Sequence, residues 1–472
     1  HTPGATSLLP HLAPGEHLAP GEHTRGLDPE LGVDLNYFLD ENGFAKPTAR
    51  MPGDGPTWLD GLVTLEDESG RQRLFARYVK VAKPMRVYEQ GLVEFNDEQK
   101  QFEHRLKFDL DVPLFPSGHP FKHTCDGTPY VYFPMLVRVR ATVKDFLDVS
   151  KYETYSCFKQ GSRADSIRLD RRADGRLQFA WKTDTAPLTP KLQAELVRGG
   201  RIKPEEGPLR VTDVETGKPV TIHRVSIYRN DYRQRWVMIA CESFGTSALG
   251  EIWYAEADTP IGPWGYARKV VTHDKYSFYN PKQHPMLAKH GGRVIFFEGT
   301  YTHTFSGNPD QTPRYDYNQI MYKLDLAELR LVLPVPVYRL SGQAGSNRLG
   351  TAEHPGEDRH GHPVVFFAPD RPMPGTVAVY ADSDGVLQLR AAADSRSSDD
   401  DKPLFYGLSA GTSSSPPATV PLYEFVHRDG KRRAYGTDVS WTSPGFQRSG
   451  RVVCLVWRDP AASAGTSVFS PG

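Results

Sequence analysis

A unit of four short apolar strands, joined by polar turns, recurs along this 472-residue chain. Four-stranded units repeated in this way are typical of a β-propeller, in which each unit forms one blade around a central axis. The pattern predicts an all-β propeller with five blades, or with six or seven if the final stretch holds more than one. A β-sandwich followed by a second β domain is the alternative. The predicted units cover Leu59–Asp109, His119–Trp181, His223–Thr272 and Gln283–Leu340, with a last strand-rich stretch at Pro363–Trp457.

The segments before and between the units carry few strand patterns. Residues 1–25 contain the hexapeptide His-Leu-Ala-Pro-Gly-Glu twice in tandem, so we expect a flexible, low-complexity N-terminal segment. Within the second unit, Tyr130 to Arg140 is interpreted as a single strand. Thr189 to Val197 has the pattern of a helix. The propeller domain is expected to cover residues 26–472, with less regular excursions near 184–220, 341–362 and 391–418.

Charge and hydropathy exclude several classes of partner. The formal net charge is zero, from 57 Lys and Arg against 57 Asp and Glu, which argues against nucleic acid as a partner. No run approaches the ~20 apolar residues that cross a bilayer, so no membrane association is expected. The chain starts at His1, which is compatible with removal of a signal peptide. We therefore expect a secreted or periplasmic protein, acting as a monomer.

The four cysteines are too few and too scattered for a metal-binding motif. None of them has C-x-x-C spacing, which argues against a zinc site. Cys125 and Cys157 are candidates for a disulfide, and four free buried thiols are the alternative.

A more specific phrase stands in the third and fourth units. Residues 250–264 read Gly-Glu-Ile-Trp-Tyr-Ala-Glu-Ala-Asp-Thr-Pro-Ile-Gly-Pro-Trp, and Tyr279-Asn-Pro281 and the strand Arg293 to Tyr301 follow. This text resembles the strand-and-turn phrase of the five-bladed glycosidases of glycoside hydrolase family 43 and its relatives. The resemblance implies a propeller that acts on carbohydrate. It also extends to Glu206-Gly-Pro208, which matches a short acidic motif of the same family.

Glycoside hydrolysis requires two carboxyl groups, one that protonates the leaving oxygen and one that activates water or attacks carbon. Asp60, on the first strand of the first unit, is the candidate general base. Asp126, in the corresponding region of the second unit, is expected to tune a pKa or hold a hydroxyl. Glu242 and Glu298 each follow an apolar run, where loss of water raises a carboxyl pKa, so both are candidates for the general acid. A structural hydrogen bond or a solvated turn is the alternative role for each.

Aromatic, histidine and arginine side chains near the strand starts, together with the loop from Thr302 to Asp316, are candidates for substrate binding. Tyr and Trp rings can stack on sugars, and polar residues on a loop held by a rigid sheet suit ligand binding. The candidates are Trp58, Arg77, His119, His123, Tyr279, Asn280, His284, Tyr301, His303, Arg314 and Tyr315.

The sequence therefore predicts a carbohydrate-active enzyme, a glycoside hydrolase that degrades an oligosaccharide or polysaccharide with paired carboxylates. A polysaccharide lyase is the first alternative, with His and Tyr moving the proton and with Arg77, Arg224, Arg314 and Tyr315 holding the carboxylate of a uronate. A non-catalytic sugar-binding propeller is the second. No cofactor is expected to be required, and the inner histidines leave open a central metal ion of unknown identity.

Overall fold

The computed structural model of the chain is all-β, with 28 strands and two short α-helices among the residues that it describes. No helix in that part of the chain is both long and apolar enough to span a bilayer. The predicted N-terminal segment 1–25 and the candidates Arg314 and Tyr315 lie outside the described residues. The structure describes residues 38, 40–44, 46–49, 51–134, 136–203, 206–208, 210–273, 276–309, 316–341, 347–351, 364–381, 389–391, 402–412, 414–461 and 468–469.

The first sheet is a four-stranded antiparallel meander that matches the first predicted unit. Along its first strand the buried Val63 and Leu65 alternate with exposed neighbours, as expected for a strand that covers a core with one face. The first hairpin closes on Asp67, whose Oδ1 accepts hydrogen bonds from the backbone N–H groups of Ser69 and Arg71. The strands are β1 (Thr57–Glu66), β2 (Gln72–Ala82), β3 (Arg86–Asn96) and β4 (Gln101–Phe108).

The second sheet has five strands and corrects one prediction. Tyr130 to Arg140 is not a single strand, because the chain turns between Phe133 and Val137, where Leu136 has a left-handed φ of 64°. All four cysteines of the chain are free and buried, so the suggested disulfide is not formed. The strands are β5 (Phe121–Cys125), β6 (Thr128–Phe133), β7 (Val137–Arg140), β8 (Glu153–Ser156) and β9 (Ala180–Thr183), with helix α1 (Val143–Phe146) between β7 and β8.

The third sheet has six strands and includes part of the first predicted excursion. The expected helix is present as α2 (Pro190–Arg198), and Thr189 caps it by accepting a hydrogen bond from Leu192 N. Two segments of the excursion are strands, because β10 pairs in parallel with β15 and antiparallel with β11. The strands are β10 (Val211–Asp213), β11 (Pro219–Val220), β12 (Ile222–Asn230), β13 (Arg235–Glu242), β14 (Ile252–Ala257) and β15 (Tyr266–Val271).

The fourth sheet has three strands, and the prediction that it extends to Leu340 is wrong. The strand expected to close it belongs to the following sheet, since it pairs with two later strands of the chain. The propeller arrangement is confirmed, and four blades are traced in the described part of the chain. The strands of the fourth sheet are β16 (Ser277–Gln283), β17 (Val294–Thr302) and β18 (Asn318–Asp325). One-turn 3₁₀ helices occur at Val149–Lys151, Pro285–Leu287, His290–Gly292 and Leu329–Leu331.

The last stretch forms one sheet of ten strands rather than a four-stranded blade. It packs on the third and fourth sheets through a shared core in which Phe367 and Trp457 lie with Tyr254 and Phe278. The strands are β19 (Pro334–Ser341), β20 (Asn347–Thr351), β21 (Val364–Pro369), β22 (Thr376–Ala381), β23 (Leu389–Ala391), β24 (Phe405–Leu408), β25 (Thr419–His427), β26 (Arg433–Gly436), β27 (Phe446–Trp457) and β28 (Val468–Phe469).

The inner edges of the first four sheets lie side by side. Gly61 N donates a hydrogen bond to Gly118 O at 3.1 Å, which joins β1 to the segment before β5. His119 pairs in parallel with Ser226 of β12, and Gln283 N of β16 donates to Ser226 Oγ at 2.8 Å. Side chains close to these contacts therefore meet from four different sheets.

Candidate functional site

Six charged or titratable side chains surround these contacts, and we call them the inner-strand cluster. They come from the first, third and fourth sheets and from the segment that leads into the second. Their interactions, described below, link each one to at least one other member. The cluster consists of Asp60, Arg77, His119, Arg224, Lys282 and Glu298.

Asp60 is held at the edge of the first sheet by backbone donors. Its Oδ1 accepts hydrogen bonds from Gly61 N and Gly118 N, both at 2.9 Å. Its Oδ2 lies 3.8 Å from Arg224 Nη1, and 28% of the side chain is exposed. The β1–β2 register shifts directly after Asp60, at Gly61, whose φ of 63° suits glycine. Asp60 is thus oriented by the backbone but still open to solvent.

Arg77 stands opposite Asp60 on the neighbouring strand β2. Its guanidinium lies over the Phe115 ring at 3.9 Å, and Nη2 donates to Gln90 Oε1 at 2.7 Å. Burial lowers the pKa of Arg77 to about 10; the attraction of Asp60 opposes this shift and the repulsion of Arg224 adds to it. Nε is buried and has no hydrogen-bond partner among the described residues. Arg77 is therefore a partly desolvated cation with an unused donor.

His119 remains neutral at physiological pH. Burial lowers its pKa to about 4, the nearby Lys282 ammonium pushes it the same way, and Asp60 opposes them. A hydrogen bond with the backbone of Asn280 fixes the ring against the fourth sheet. His119 lies where the segment before β5 meets Ser226 of β12, and its ring carries a lone pair rather than a charge.

Lys282 and Glu298 face each other across the fourth sheet, on β16 and β17. Burial lowers the pKa of Lys282, and the attraction of Glu298 opposes the shift. On the other side of Glu298, His284 Nε2 lies 3.1 Å from Oε1 without the alignment of a hydrogen bond. Glu298 keeps 30% of its side chain exposed, so it is the second carboxylate of the cluster open to solvent.

Aromatic rings lie on or next to the first and fourth sheets, which carry the two carboxylates. Trp58 is 46% exposed and precedes Asp60 by two residues on β1, which places both on one face of the strand. Tyr279 of β16 donates to Tyr317 Oη at 3.1 Å, and the exposed Phe305 lies edge-on to Tyr279 at 6.2 Å. These rings are available for contact with a sugar.

Two other predicted binding residues are used inside the fold. Tyr301 stacks on Tyr276 with ring centroids 4.3 Å apart. His303 is tied to Asp316, whose Oδ1 lies 3.0 Å from His303 Nδ1 and accepts from His303 N at 2.8 Å. Both contacts order the start of the loop that follows β17.

The structure separates Asp126 and His123 from the cluster. Asp126 occupies an exposed hairpin turn between β5 and β6, with a left-handed φ of 46°. Its position at the far end of β5 follows from the tight Asp-Gly turn, whereas the prediction placed it in the region of the second unit that corresponds to Asp60. His123 packs edge-on to Trp236 with ring centroids 4.9 Å apart, between the second and third sheets.

Glu242 also lies apart from Asp60, at the end of β13. Its Oε2 accepts a hydrogen bond from Trp253 Nε1 at 2.8 Å. Burial raises its pKa, as expected from the sequence, while the Trp253 bond lowers it and the neighbouring Glu251 carboxylate raises it further. Glu251 is fully buried and was not singled out from the sequence. The groups that perturb the pKa of Glu242 are not cluster members, but Glu242 lies beside the cluster on β13, because its neighbour Cys241 pairs with Arg224 of β12.

The carboxylate of Glu206, in the short acidic motif, is held by residues outside the cluster. Its Oε1 lies 2.6 Å from Arg171 Nη1, and its Oε2 accepts from Lys203 N at 2.8 Å. The Arg171 hydrogen bond lowers the pKa of Glu206. A carboxylate held in this way is unsuited to donating a proton.

Sequence reasoning missed Lys282, which is central to the cluster. It follows Asn280-Pro281, and Asn280 has a left-handed φ of 56° beside a register shift of the β16–β17 pair. An Asn-Pro pair inside a strand pattern is a signal for such an irregularity. Among the described residues, no three His, Cys, Asp or Glu side chains form a metal-binding group. A central ion stays a prediction.

A cavity of about 970 Å³ is lined by residues of the second, third and last sheets. Apolar side chains such as Phe121, Met238 and Trp264 line much of it, and helix α2 forms part of its wall. None of the six cluster residues borders it, although Val225 next to Arg224 does. The cavity and the inner-strand cluster are therefore separate candidate sites.

Comparison with known proteins gives matches only among solved structures. No protein-family model matches the chain, and no curated protein does. A thermostable family-43 glycoside hydrolase matches at a TM-score of 0.25 and 14% identity, over 62% of this chain and 75% of that chain. An α-L-arabinofuranosidase from Lactobacillus brevis matches at a TM-score of 0.26 and 11% identity, over 63% and 77%.

An exo-β-1,3-galactanase from Phanerochaete chrysosporium, solved with galactose, matches at a TM-score of 0.28 and 10% identity, over 88% of this chain and 75% of that chain. At such low TM-scores and identities, these likenesses identify neither an activity nor a substrate. The matched structures include a family-43 glycoside hydrolase, the family that the phrase at residues 250–264 resembles.

Proposed function

We propose that this chain is a carbohydrate-active enzyme, a glycoside hydrolase whose carboxyl pair is Asp60 and Glu298. One observation carries the proposal. The two carboxylates come from the first and fourth sheets, remain 28% and 30% exposed, and flank the same cluster. Hydrolysis of a glycosidic bond requires two carboxyl groups on either side of the bond.

The surroundings of the two groups favour different roles. Asp60 is oriented by two backbone N–H donors and lies near Arg224, which suits the base or nucleophile. Glu298 is the other carboxylate of the cluster and lies on the fourth sheet, so it is assigned the role of general acid. Trp58 supplies an exposed ring next to Asp60 for stacking on the sugar.

The test is turnover of a panel of oligosaccharides and polysaccharides, read as new reducing ends. Asp60→Asn and Glu298→Gln should each lower kcat by about 10²–10⁴-fold, the usual contribution of an acid or base catalyst. Asp126→Asn is the matched control, because this carboxylate lies in an exposed hairpin turn outside the cluster, and kcat should stay within about threefold. Full turnover in both cluster variants would overturn the assignment.

A second candidate function, a polysaccharide lyase, is favoured by His119. Its neutral imidazole lies near the cationic Arg224 and Lys282, a combination that suits removal of a proton beside a uronate carboxylate. Lyase products carry a new C=C bond that absorbs in the ultraviolet, whereas hydrolase products do not. His119→Gln should abolish a lyase but leave a hydrolase partly active. An exported, monomeric protein that needs no cofactor stays a prediction.

A further inference from the structure

Three cations of the inner-strand cluster come from three sheets and surround Asp60 and His119. Arg77 lies on β2, Arg224 on β12 and Lys282 on β16. Arg224 lowers the pKa of Arg77 by repulsion, and both Lys282 and Arg224 lower that of His119. Like charges repel, so a fold that brings them together without a ligand is disfavoured unless other groups compensate.

The donors of these cations are poorly satisfied by the protein. Within the described part of the chain, Lys282 Nζ makes no hydrogen bond, and Glu298 is its electrostatic partner. Arg224 has only long contacts, 3.4 Å to Ser117 Oγ and 3.8 Å to Asp60 Oδ2. Arg77 leaves Nε without a partner. A half-buried donor without an acceptor costs free energy that a bound oxygen ligand would recover.

The local charge balance also favours an anion. Two carboxylates, Asp60 and Glu298, face three cations, and His119 adds no charge at neutral pH. The cluster thus holds one excess positive charge in a chain whose formal net charge is zero. A partly desolvated positive site attracts anionic ligands more strongly than an exposed surface patch does.

We propose that the cluster binds an acidic group of the substrate, a carboxylate or a sulfate ester on the sugar, through Arg77, Arg224 and Lys282. Guanidinium groups recognise such planar or tetrahedral oxyanions with paired hydrogen bonds, and an ammonium adds a point charge. The inference rests on the proposed carbohydrate-directed function and adds the substrate class, because paired-carboxylate hydrolysis requires no charge on the sugar.

The experiment compares acidic sugars with their neutral counterparts on the full chain by titration calorimetry. The probes are galacturonate and galactose 6-sulfate against galactose, and glucuronate against glucose. We expect at least one acidic sugar to bind about tenfold or more tightly than its neutral partner at low salt, with the preference shrinking as sodium chloride is added. The uronate and sulfate arms show which oxyanion fits.

Substitution assigns the preference to the cluster. Arg224→Met and Lys282→Met should each weaken acidic-sugar binding about 10–100-fold, the value of a charge-assisted hydrogen bond, and should weaken neutral-sugar binding much less. Lys107→Met is the control, since Lys107 lies on the outermost strand β4 and is 62% exposed. Lys282→Gln, which keeps a polar side chain, replaces Lys282→Met if that variant unfolds.

Equal affinity for acidic and neutral sugars, or a preference that survives both substitutions, would overturn the inference. Its failure is separable from failure of the proposed function. Turnover of neutral glycans without any acidic preference refutes only the anionic substrate. Tighter binding of acidic sugars without turnover of any glycan supports the anion-binding site but refutes the proposed enzymatic activity.

Discussion

The imidazole of His119 gives the most direct test of the environment inside the cluster. Its pKa of about 4 lies well below the ordinary histidine value of 6.5, chiefly because of burial and secondly because of Lys282. The folded chain therefore binds fewer protons than the unfolded chain between these two pH values. The neutral ring contributes stability that is complete above pH 6.5 and is lost as the pH falls towards 4.

The magnitude follows from the two pKa values. The full shift corresponds to about 3 kcal/mol, and about 2.5 kcal/mol of it is lost on going from neutral pH to pH 4.5. His119→Gln removes the titrating group. The free energy of unfolding of the unsubstituted protein, measured in urea at a series of pH values, should therefore fall by about 2.5 kcal/mol more than that of the variant over this range.

A second measurement separates the two causes of the shift. The NMR titration of the His119 ring should show a midpoint near pH 4, and Lys282→Met should move that midpoint upward because it removes the neighbouring charge. A midpoint at pH 6 or above would refute the desolvated environment. If the free energy of unfolding falls with pH by the same amount in the native protein and in His119→Gln, the desolvated environment is refuted as well.

Three further perturbations test other parts of the molecule. Arg235→Met should lower the free energy of unfolding by about 3–5 kcal/mol in urea titrations, because it leaves the buried Asp258 carboxylate without its cation; a loss below about 1 kcal/mol contradicts this. Phe305→Ala, which removes a 58% exposed ring, should raise KM for an oligosaccharide about 2–10-fold and leave the melting temperature unchanged, whereas an unchanged KM excludes this ring from the binding surface. Glu206→Gln should leave kcat within about twofold, because Arg171 already holds that carboxylate away from the cluster, and a loss comparable to that of Asp60→Asn would restore Glu206 as a catalyst.

Features set by local chain chemistry were predictable from the sequence. The strand pattern of the first unit corresponds to the first sheet, and the helix expected from Thr189 is present with Thr189 as its cap. In each case the signal lies within a few residues, as hydrophobic alternation or a capping side chain.

Features set by contacts between distant segments were not predictable. The strand Pro334–Ser341 has a clear apolar pattern, but nothing in it specifies that its partners are later strands rather than β18. Glu242 and Glu298 follow similar apolar runs, yet only Glu298 lies opposite a residue that reaches the cluster. Asp126 is a carboxylate of the type found in active sites, but its backbone geometry is that of a turn. A local sequence pattern cannot distinguish these outcomes, because they depend on which strands pair with each other.

The charged residues of the cluster occur where their strands depart from regular pairing. The register shifts directly after Asp60, directly before Arg224 and directly before Lys282. Two of these irregularities carry a left-handed residue, Gly61 and Asn280. A regular strand sends alternate side chains to opposite faces, where they pack between neighbouring sheets, whereas a bulge turns one side chain out of that alternation. Since three strands from three sheets break their pairing at the positions where charge converges, the irregularities direct these side chains to a common point, and the regular parts of the same strands hold that point rigid.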